Sequence, residues 1–502
     1  MRRLKQSLSV GHVARGGVLL FIGVIGGSML GYVYWLIVSY FGGPGIVGIA
    51  SSVNSLGTLV GGIAGLGLST GVQRFLGRDF THKRTGSLNA YFWSSLVFCV
   101  VLCLISAVVI WVIAFLNISL IKNFSETMLI LAGLIVFLSF SGIFQALFIS
   151  TIKTGSYAVS YILASFAKLV LGVLLVYMGF GWFGATMGIV FSSLSMIVLM
   201  LFFALRDLRS LGGVKIRFSS RALRESLVAS SVSWLPSVVA LLGSQLGILT
   251  VYGFLGGAQA GTYFIAYTIF TIVYTLPSSF LSLMFPVLSG VTNGGKQVAW
   301  RVLKICLAVA CPATAFLVLY PGFLLSMVGE SYVNAATTLS LLALSIIPMT
   351  LILAVTNLVY ASGSYGKVLG LGLALNVPQV LLYFALVPIY GEFGAGLSFL
   401  SGALIGLVAA AIVSRRVRFQ ASLKKIGLST FIPLLAGFLC LTLKFDWFIG
   451  GSVILLASVL SYGRLGVVER VDLAEIARGF ASEETVARAS SRLNWVLRVI
   501  YG

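Results

Sequence analysis

The sequence predicts an all-α polytopic membrane protein, and three observations carry this prediction. Hydrophobic residues make up 59% of the 502 residues and charged residues only 9%, whereas charged residues are about a quarter of an ordinary soluble chain. Residues 16–73 and 226–295 contain no charged side chain, and each stretch has room for two spans of about 20 residues. The basic residues gather in short clusters between apolar runs.

The hydropathy pattern predicts about fourteen transmembrane helices. We place them at residues 17–40, 46–73, 89–116, 127–150, 158–179, 182–205, 230–254, 261–289, 302–320, 335–360, 368–389, 393–414, 427–443 and 446–463. Glycine-rich segments at 41–45 and 255–261 supply the turns inside the two uncharged stretches. The first span is expected to be retained, because its apolar run is longer than the apolar region of a signal peptide.

The basic residues predict the orientation of the chain. With the N-terminus inside, thirty of the thirty-three Lys and Arg residues fall on the cytoplasmic side, and Lys122 and Lys444 fall outside. This is the bias expected from the positive-inside rule. We therefore expect a multi-pass protein of the plasma or inner membrane with both termini in the cytoplasm. The net charge of +21 then reports topology, and no binding to nucleic acid is expected.

An internal repeat predicts the domain organisation. Gly155-Ser-Tyr157 is followed by Gly181-Trp-Phe-Gly-Ala185, and Gly363-Ser-Tyr365 is followed at nearly the same spacing by Gly391-Glu-Phe-Gly-Ala395. Helices 1–6 and 7–12 are thus expected to be two pseudo-symmetric six-helix bundles, with the substrate path between them. The predicted parts are an N-lobe with its linker (1–229), a C-lobe with its linker (230–426), an additional helix pair (427–463) and a cytosolic amphipathic tail (464–502).

Three basic residues are candidates for binding an anionic head group. Lys168 lies near the middle of the fifth helix, where an ionisable side chain is costly and is by default a functional candidate. Arg15 and Arg74 lie at the inner ends of the first two helices; they either line the mouth of a central cavity or only set the topology. All twelve acidic residues fall in predicted loops or in the tail. A cavity with Lys or Arg and no acid favours an anion, and phosphate or diphosphate is the commonest such group.

Amide side chains within predicted helices are candidates for lining the same cavity and binding sugar hydroxyls, although each can equally bond helix to helix. They are Asn54, Gln73, Gln145, Gln245, Asn357, Asn376 and Gln379.

The sequence gives no sign of an enzyme, a metal site or a cofactor. The five cysteines lie in apolar segments without a CxxC pair, and the only histidines, His12 and His82, lie in cytoplasmic segments without ligand spacing. No nucleotide-binding or hydrolase motif occurs in a suitable context. Two glycosylation sequons, at Asn117 and Asn123, fall on a predicted outer loop.

The assembled motifs resemble the polysaccharide transporter, or O-antigen flippase, family of the multidrug/oligosaccharidyl-lipid/polysaccharide (MOP) superfamily, which is similar in layout to the MATE exporters. Four features carry the resemblance, over roughly residues 10–415: Gly65-Leu-Gly-Leu-Ser-Thr-Gly-Val-Gln-Arg-Phe-Leu76, Ala260-Gly-Thr-Tyr-Phe-Ile-Ala-Tyr267, the closing Leu276-Pro…Phe285-Pro-Val-Leu-Ser289, and the two Gly-Ser-Tyr to Phe-Gly-Ala repeats. The first helix has no arginine beyond Arg15, which departs from the lipid II flippase pattern and disfavours a peptidoglycan precursor as cargo.

The resemblance implies two bundles around a cationic cavity, alternating access, and flipping of a polyprenyl-(di)phosphate-linked oligosaccharide from the cytoplasmic to the outer leaflet, for a surface polysaccharide or a glycoprotein glycan. Membrane lipid, the lipid-linked glycan and the glycosyltransferases or polymerase of the same pathway are the implied partners. A MATE-like exporter of drugs or organic ions is the first alternative. A major-facilitator transporter and a membrane glycosyltransferase or polymerase are the others.

Overall fold

A computed structural model describes residues 10–116, 123–211, 213–290, 295–419 and 421–469, and the side chains of 10–22, 232 and 282–290 are not described. The described residues are helical with short connections and contain no strand. They divide into two compact units: the first lies within Met1–Phe264 and Tyr383–Glu392, and the second within Ile265–Leu382 and Phe393–Gly502.

Ten helices or helix segments lie in the described residues between 10 and 290. They are α1 (Val10–Ala64), α2 (Leu68–Thr81), α3 (Thr85–Phe115), α4 (Glu126–Phe137), α5 (Gly142–Ser150), α6 (Thr154–Ala167), α7 (Val173–Leu175), α8 (Gly181–Ser210), α9 (Ser220–Leu255) and α10 (Gly257–Gly290). A 3₁₀ turn at Leu138–Ser141 joins α4 to α5, and π-helical turns at Lys168–Gly172 and Val176–Phe180 flank α7.

Seven helices follow in the described residues from 295 to 469. They are α11 (Gly295–Leu319), α12 (Pro321–Ser326), α13 (Ala336–Leu344), α14 (Ile346–Ala361), α15 (Tyr365–Arg416), α16 (Leu423–Thr442) and α17 (Trp447–Arg464), with a 3₁₀ turn at Glu330–Ala335 before α13.

Within the described residues, eleven helical segments are long and apolar enough to cross a membrane. Three of them, at Gly23–Ala64, Thr154–Ser210 and Tyr365–Arg416, have 42, 57 and 52 residues. At 1.5 Å per residue each exceeds the roughly 30 Å of a bilayer core about twofold or more. Counting each as two spans gives fourteen, which agrees with the number predicted from the sequence.

Glycines in left-handed or related conformations break each of these three long segments. Gly43 has φ 67° and is followed by Pro44, in the predicted turn of the first uncharged stretch. Gly181 has φ 53° and Gly391 has φ 63°. Only glycine adopts such angles at low cost. Gly181 and Gly391 are the first residues of the two Phe-Gly-Ala motifs, so the sequence repeat is also a repeat of backbone conformation.

The second uncharged stretch turns at Gly256, which has φ 89° and lies between α9 and α10. Beyond this turn, α10 packs against α1 within the first unit with almost no space between the backbones. A Cβ atom on Gly48 would lie 1.8 Å from the carbonyl oxygen of Gly257, and one on Gly261 would lie 1.9 Å from that of Pro44. Small residues allow this close approach of helices.

Each unit has its own apolar core. In the first, Leu76 of α2 and Phe92 of α3 pack with Phe148 of α5. In the second, Leu307 of α11 packs with Val355 of α14. Other large apolar side chains remain exposed: on α3, Val101 is 45% exposed and Ile105 is 55% exposed. A soluble protein does not present such a continuous apolar face to water, whereas a membrane protein presents it to lipid.

The five cysteines are buried and unpaired. Of the predicted C-terminal tail, residues 470–502 lie outside the described residues, as does the sequon at Asn117. Asn123, in the second sequon, has φ 73°, and its side-chain amide donates to the carbonyl of Gly253 at 3.1 Å.

A candidate anion-binding site at Lys168

Lys168 lies at an irregularity of the helix that carries it. The regular α6 ends at Ala167, and Lys168–Gly172 form a π-helical turn. Single π turns inside α-helices are rare and occur frequently at functional sites, because the extra residue shifts the direction of the following side chains. The helix predicted at 158–179 is present, and the π-helical turn at the candidate residue is a local irregularity within it.

Close glycine packing holds this π turn against α8. A Cβ atom on Gly188 of α8 would lie 2.6 Å from the Cα atom of Gly172. Tyr34 of α1 packs beside both glycines and is fully buried. Its hydroxyl donates to the carbonyl oxygen of Ala185, also on α8, at 2.6 Å. Three helical elements of the first unit thus meet at one tyrosine.

The Lys168 ammonium lies over this tyrosine. Its Nζ atom is 5.1 Å from the centre of the Tyr34 ring, within the range of a cation–π interaction. The same Nζ would lie 3.3 Å from a Cβ atom built on Gly31, so the absence of a side chain at Gly31 makes room for the amine. The lysine is partly buried, and no carboxylate pairs with it in the described part of the chain.

This arrangement leaves the ammonium able to bind an anion. The aromatic face attracts the charge but accepts no full hydrogen bond from the three N–H donors of a lysine. A charged amine held in apolar surroundings without a counter-ion is costly. A phosphate oxygen supplies both the charge and the acceptors, and a charge-assisted hydrogen bond of this kind is among the stronger polar contacts.

The sequence interpretation missed the surface of α1 against which α6 packs. Gly23, Gly27 and Gly31 are spaced four residues apart and face α6 and the Lys168 turn. A Cβ atom on Gly23 would lie 2.4 Å from that of Ala158, and one on Gly27 would lie 2.3 Å from the ring of Tyr161. The recognisable signal was the repeated Gly-xxx-Gly spacing, which is typical of closely packed membrane helices.

The structure does not join the other two basic candidates to Lys168. Arg74 is exposed on α2 and makes no hydrogen bond or ion pair with the described residues. The side chain of Arg15 lies outside the described residues. A shared role for Arg15, Arg74 and Lys168 stays a prediction.

The seven amide candidates fall in both units. Asn54, Gln73, Gln145 and Gln245 are partly buried in the first unit, where Gln245 contacts the hydroxyl of Ser244 at 3.4 Å.

The amides of the second unit are engaged with the protein. Asn357 donates to the carbonyl of Leu281 at 2.8 Å, which joins two helices, and Asn376 donates to Gly372 one turn earlier in its own helix at 2.9 Å. Gln379 is 2% exposed and packs against Gly402.

The acidic residues are less confined to loops than predicted. Asp79 is buried in the last turn of α2, Asp207 is buried in the last turn of α8, and Glu392 lies in α15 directly after the break at Gly391. Their partners explain this placement: Arg78 and Ser87 for Asp79, and the hydroxyl of Thr262 for Glu392. None of these carboxylates contacts Lys168.

Comparison with known proteins identifies the family. Residues 44–337, more than half of the chain, match the family described as polysaccharide biosynthesis protein. The chain belongs to this family. No curated protein matches its sequence.

Solved structures give this member of the polysaccharide biosynthesis family the fold of MOP-superfamily transporters. The lipid II flippase MurJ in an inward-closed conformation superposes with a TM-score of 0.73 at 15% identity, over 90% of this chain and all of that chain. An inward-facing multidrug MATE transporter of the MOP superfamily superposes with a TM-score of 0.60 at 17% identity, over 79% and 96%. A MOP superfamily transporter from Pyrococcus furiosus, described as having a binding pocket of reverse polarity, superposes with a TM-score of 0.55 at 18% identity, over 81% of this chain and 95% of that chain.

These comparisons confirm the family resemblance and the fold class drawn from the sequence. The protein is a multi-pass, all-α membrane protein of a polysaccharide biosynthesis family with a transporter fold. At such low identity the solved structures carry the fold alone, and the cargo must be argued from the residues of this chain.

Proposed function

We propose that the protein is a flippase that moves a polyprenyl-phosphate- or diphosphate-linked oligosaccharide from the cytoplasmic to the outer leaflet. The observation that carries this proposal is the ammonium of Lys168, held over Tyr34 within a membrane-length segment and without a carboxylate partner among the described residues. The family supplies the polysaccharide context. A lipid-linked glycan combines the anion that Lys168 requires with a sugar chain.

In this proposal the cargo enters from the cytoplasmic side past Arg15 and Arg74 and pairs through its phosphate with Lys168. The polyprenyl chain remains in the lipid, and the two six-helix lobes alternate between inward-open and outward-open states around the head group. Partly buried amides such as Asn54 and Gln145 supply hydrogen bonds to sugar hydroxyls. The glycosyltransferases that build the cargo and the polymerase or transferase that uses it are the partners.

The orientation in the membrane is part of the same proposal. The N- and C-termini face the cytoplasm of a plasma or inner membrane, because this orientation places thirty of thirty-three basic residues on the inner side. The protein then acts by binding and conformational change and carries out no chemical step on the glycan.

A MATE-like exporter of drugs or organic ions is the alternative, and the positive charge of Lys168 favours an anionic cargo over a cationic one. A cation needs a carboxylate or an uncharged aromatic cage, whereas the Tyr34 face is already occupied by Lys168. Glu392 and Thr262 form a carboxylate contact elsewhere in the first unit, and no contact joins them to Lys168.

The test is leaflet translocation of a fluorescent polyprenyl-diphosphate oligosaccharide in proteoliposomes, comparing the wild type with Lys168→Ala and Lys168→Arg. Lys367→Ala is the matched control, since Lys367 is an exposed helical lysine without an ion pair among the described residues. We expect translocation to fall about tenfold or more in the alanine variant, as for loss of one charge-assisted hydrogen bond. Arginine should restore part of it, and Lys367→Ala should have no effect.

Unchanged translocation by Lys168→Ala would remove Lys168 from the mechanism while leaving the flippase function in place. Absence of glycan-lipid translocation by the wild type, together with ethidium export by the same vesicles, would establish the exporter alternative.

A further inference from the structure

A cavity with charged residues at its edge lies where three helix connections of the first unit come together, and Lys168 is not part of its lining. Its volume is about 650 Å³, within the range of cavities that hold small organic ligands. The end of α2, the α2–α3 connection and the start of α3 contribute Asp79, Lys83 and Thr85 in turn. The α5–α6 connection contributes Thr151 and Lys153, and the end of α8 contributes Ser210. Each connection is next to a membrane-length segment, namely Thr85–Phe115, Glu126–Ser150 or Thr154–Ser210, and the predicted topology puts all three connections on the cytoplasmic side.

Two lysine ammonium groups give this cavity its charge. Lys83 and Lys153 are exposed at its edge and form no ion pair within the described ranges. The one acidic residue of the lining, Asp79, is 1% exposed, and its carboxylate already receives Arg78 Nε at 3.3 Å and the hydroxyl of Ser87. The net charge left for a ligand to meet is therefore positive.

The two connections that carry the lysines share one construction. Lys83 and Ile152 each have φ 56°, and each is followed by a basic residue and then by Thr-Gly-Ser, at residues 84–87 and 153–156. In each copy the serine hydroxyl donates to a buried carboxylate: Ser87 to Asp79, and Ser156 to Asp207 at 3.3 Å. An isoleucine in the left-handed region is uncommon and strained, and such strain persists only where the surroundings enforce it.

The shared construction fixes the backbone on both sides of the cavity. A ligand that bridges the two lysines therefore meets a lining that is already in place and does not have to order either loop. The rest of the lining is largely apolar, including Phe80 and Leu211. This combination suits a group that is anionic at one end and apolar at the other.

We propose that this cavity binds the phosphate-bearing head group of a lipid, with Lys83 and Lys153 on the phosphate and the apolar lining on the glycerol or prenyl carbons next to it. Amines are the usual point-charge partners of phosphate. The lipid is either an anionic phospholipid of the bilayer or the polyprenyl-diphosphate cargo waiting on the inner side. Lys168 is not part of this site, so binding of a phospholipid here does not depend on the proposed transport step, whereas binding of the cargo rests on the proposed function.

The test is native mass spectrometry of the full-length protein in detergent with phosphatidylglycerol, undecaprenyl diphosphate or phosphatidylcholine added in turn. The variant carries Lys83→Asn and Lys153→Gln, because asparagine tolerates the left-handed backbone at residue 83. We expect about tenfold weaker retention of a phosphate lipid that bears a net charge, since two charge-assisted contacts are lost. Retention of zwitterionic phosphatidylcholine should not change.

The matched control removes two exposed lysines elsewhere, by Lys367→Gln and Lys424→Gln. It should bind lipid as the wild type does, and a variant with arginine at both 83 and 153 should recover binding. The natural occupant is the lipid whose retention falls more in the Lys83→Asn, Lys153→Gln variant, so the experiment distinguishes phosphatidylglycerol from undecaprenyl diphosphate. The proposal would be overturned if the Lys83/Lys153 variant retained both charged lipids as well as the wild type does. It would also be overturned if the Lys367/Lys424 control lost the same amount of lipid.

Discussion

Tyr34 contacts Lys168 with its ring face and Ala185 with its hydroxyl. The ring centre is 5.1 Å from the ammonium, and the hydroxyl donates to the carbonyl at 2.6 Å. One buried side chain thus connects the candidate anion site to the packing of α1 against α8. The two contacts can be separated by substitution, because the ring and the hydroxyl are removed by different changes.

Replacing Tyr34 by phenylalanine should preserve transport, and replacing it by leucine should not. Tyr34→Phe keeps the ring and loses one hydrogen bond, at a cost of about 1 kcal/mol in unfolding free energy. Tyr34→Leu also loses a cation–π contact worth about 0.5–2 kcal/mol, so the ammonium is less well placed and translocation should fall several-fold. Initial rates in proteoliposomes and thermal unfolding in detergent measure the two effects. Equal rates for the two variants would show that the ring does not position Lys168.

Gly48→Ala should destabilise the protein, whereas Gly45→Ala in the same helix should not. A Cβ atom at Gly48 would lie 1.8 Å from the backbone carbonyl of Gly257, and backbone cannot move aside as a flexible side chain can. Overpacking of this kind costs about 1–3 kcal/mol or more. Nothing lies within 4 Å of a Cβ atom at Gly45. The measurement is the melting temperature of both variants in detergent, and similar melting temperatures would mean that the α1–α10 contact relaxes freely.

The architecture could be predicted from the sequence where local rules decide the structure. Apolar runs give the spans, and glycine gives the breaks at Gly43 and Gly391 because other residues avoid those backbone angles. Lys168 could be found because a lysine inside an apolar segment is exceptional whatever surrounds it. In each case the residue type at one position was enough to make the prediction.

Contacts between distant segments could not be predicted in the same way. Nothing in the sequence places Tyr34 under Lys168, because their contact depends on how α1 crosses α6 and α8. The π-helical turn at Lys168–Gly172 lies where Gly172 packs on Gly188, and it has no composition signal. Lys304 lies at the start of the predicted helix 302–320, and nothing in the sequence indicates that it is buried, yet it is 4% exposed. Its acidic neighbour, Glu469, is far away in the sequence.

Loss of the Glu225 carboxylate should lower stability at neutral pH more than at acidic pH. The hydroxyl of Tyr91 and then the guanidinium of Arg221 donate to this carboxylate and hold the pKa of Glu225 below its ordinary value. A lowered folded-state pKa stabilises the folded protein fully above the unfolded-state pKa of about 4.3. This contribution is lost as the pH falls from there through the folded-state pKa.

The Glu225→Gln variant should therefore melt below the wild type at pH 7, and the difference should narrow as the pH falls below about 4.3. Tyr91→Phe, which removes the largest cause of the shift, should show the same trend. The control is Glu126→Gln, since Glu126 is exposed in the first turn of α4. A melting difference for Glu225→Gln that is the same at both pH values would exclude a linkage to this carboxylate.

Glu469 should stabilise the second unit through Lys304. The Lys304 ammonium lies 3.8 Å from the Glu469 carboxylate, which also receives Lys425 at 3.1 Å. The side chain of Lys304 is only 5% exposed, whereas the side chain of Glu469 is 57% exposed, so solvent weakens the pair and its removal should cost about 1 kcal/mol or less. Glu469→Gln should lower the melting temperature in the wild-type background. In a Lys304→Met background the same change should have a smaller effect, because the buried charge that the carboxylate compensates is no longer there.

Lys425→Met provides the matched background, since Lys425 is the more exposed of the two lysines. A double-mutant cycle of melting curves measures the coupling, and equal effects of Glu469→Gln in the wild-type and Lys304→Met backgrounds would show that the carboxylate does not act on Lys304.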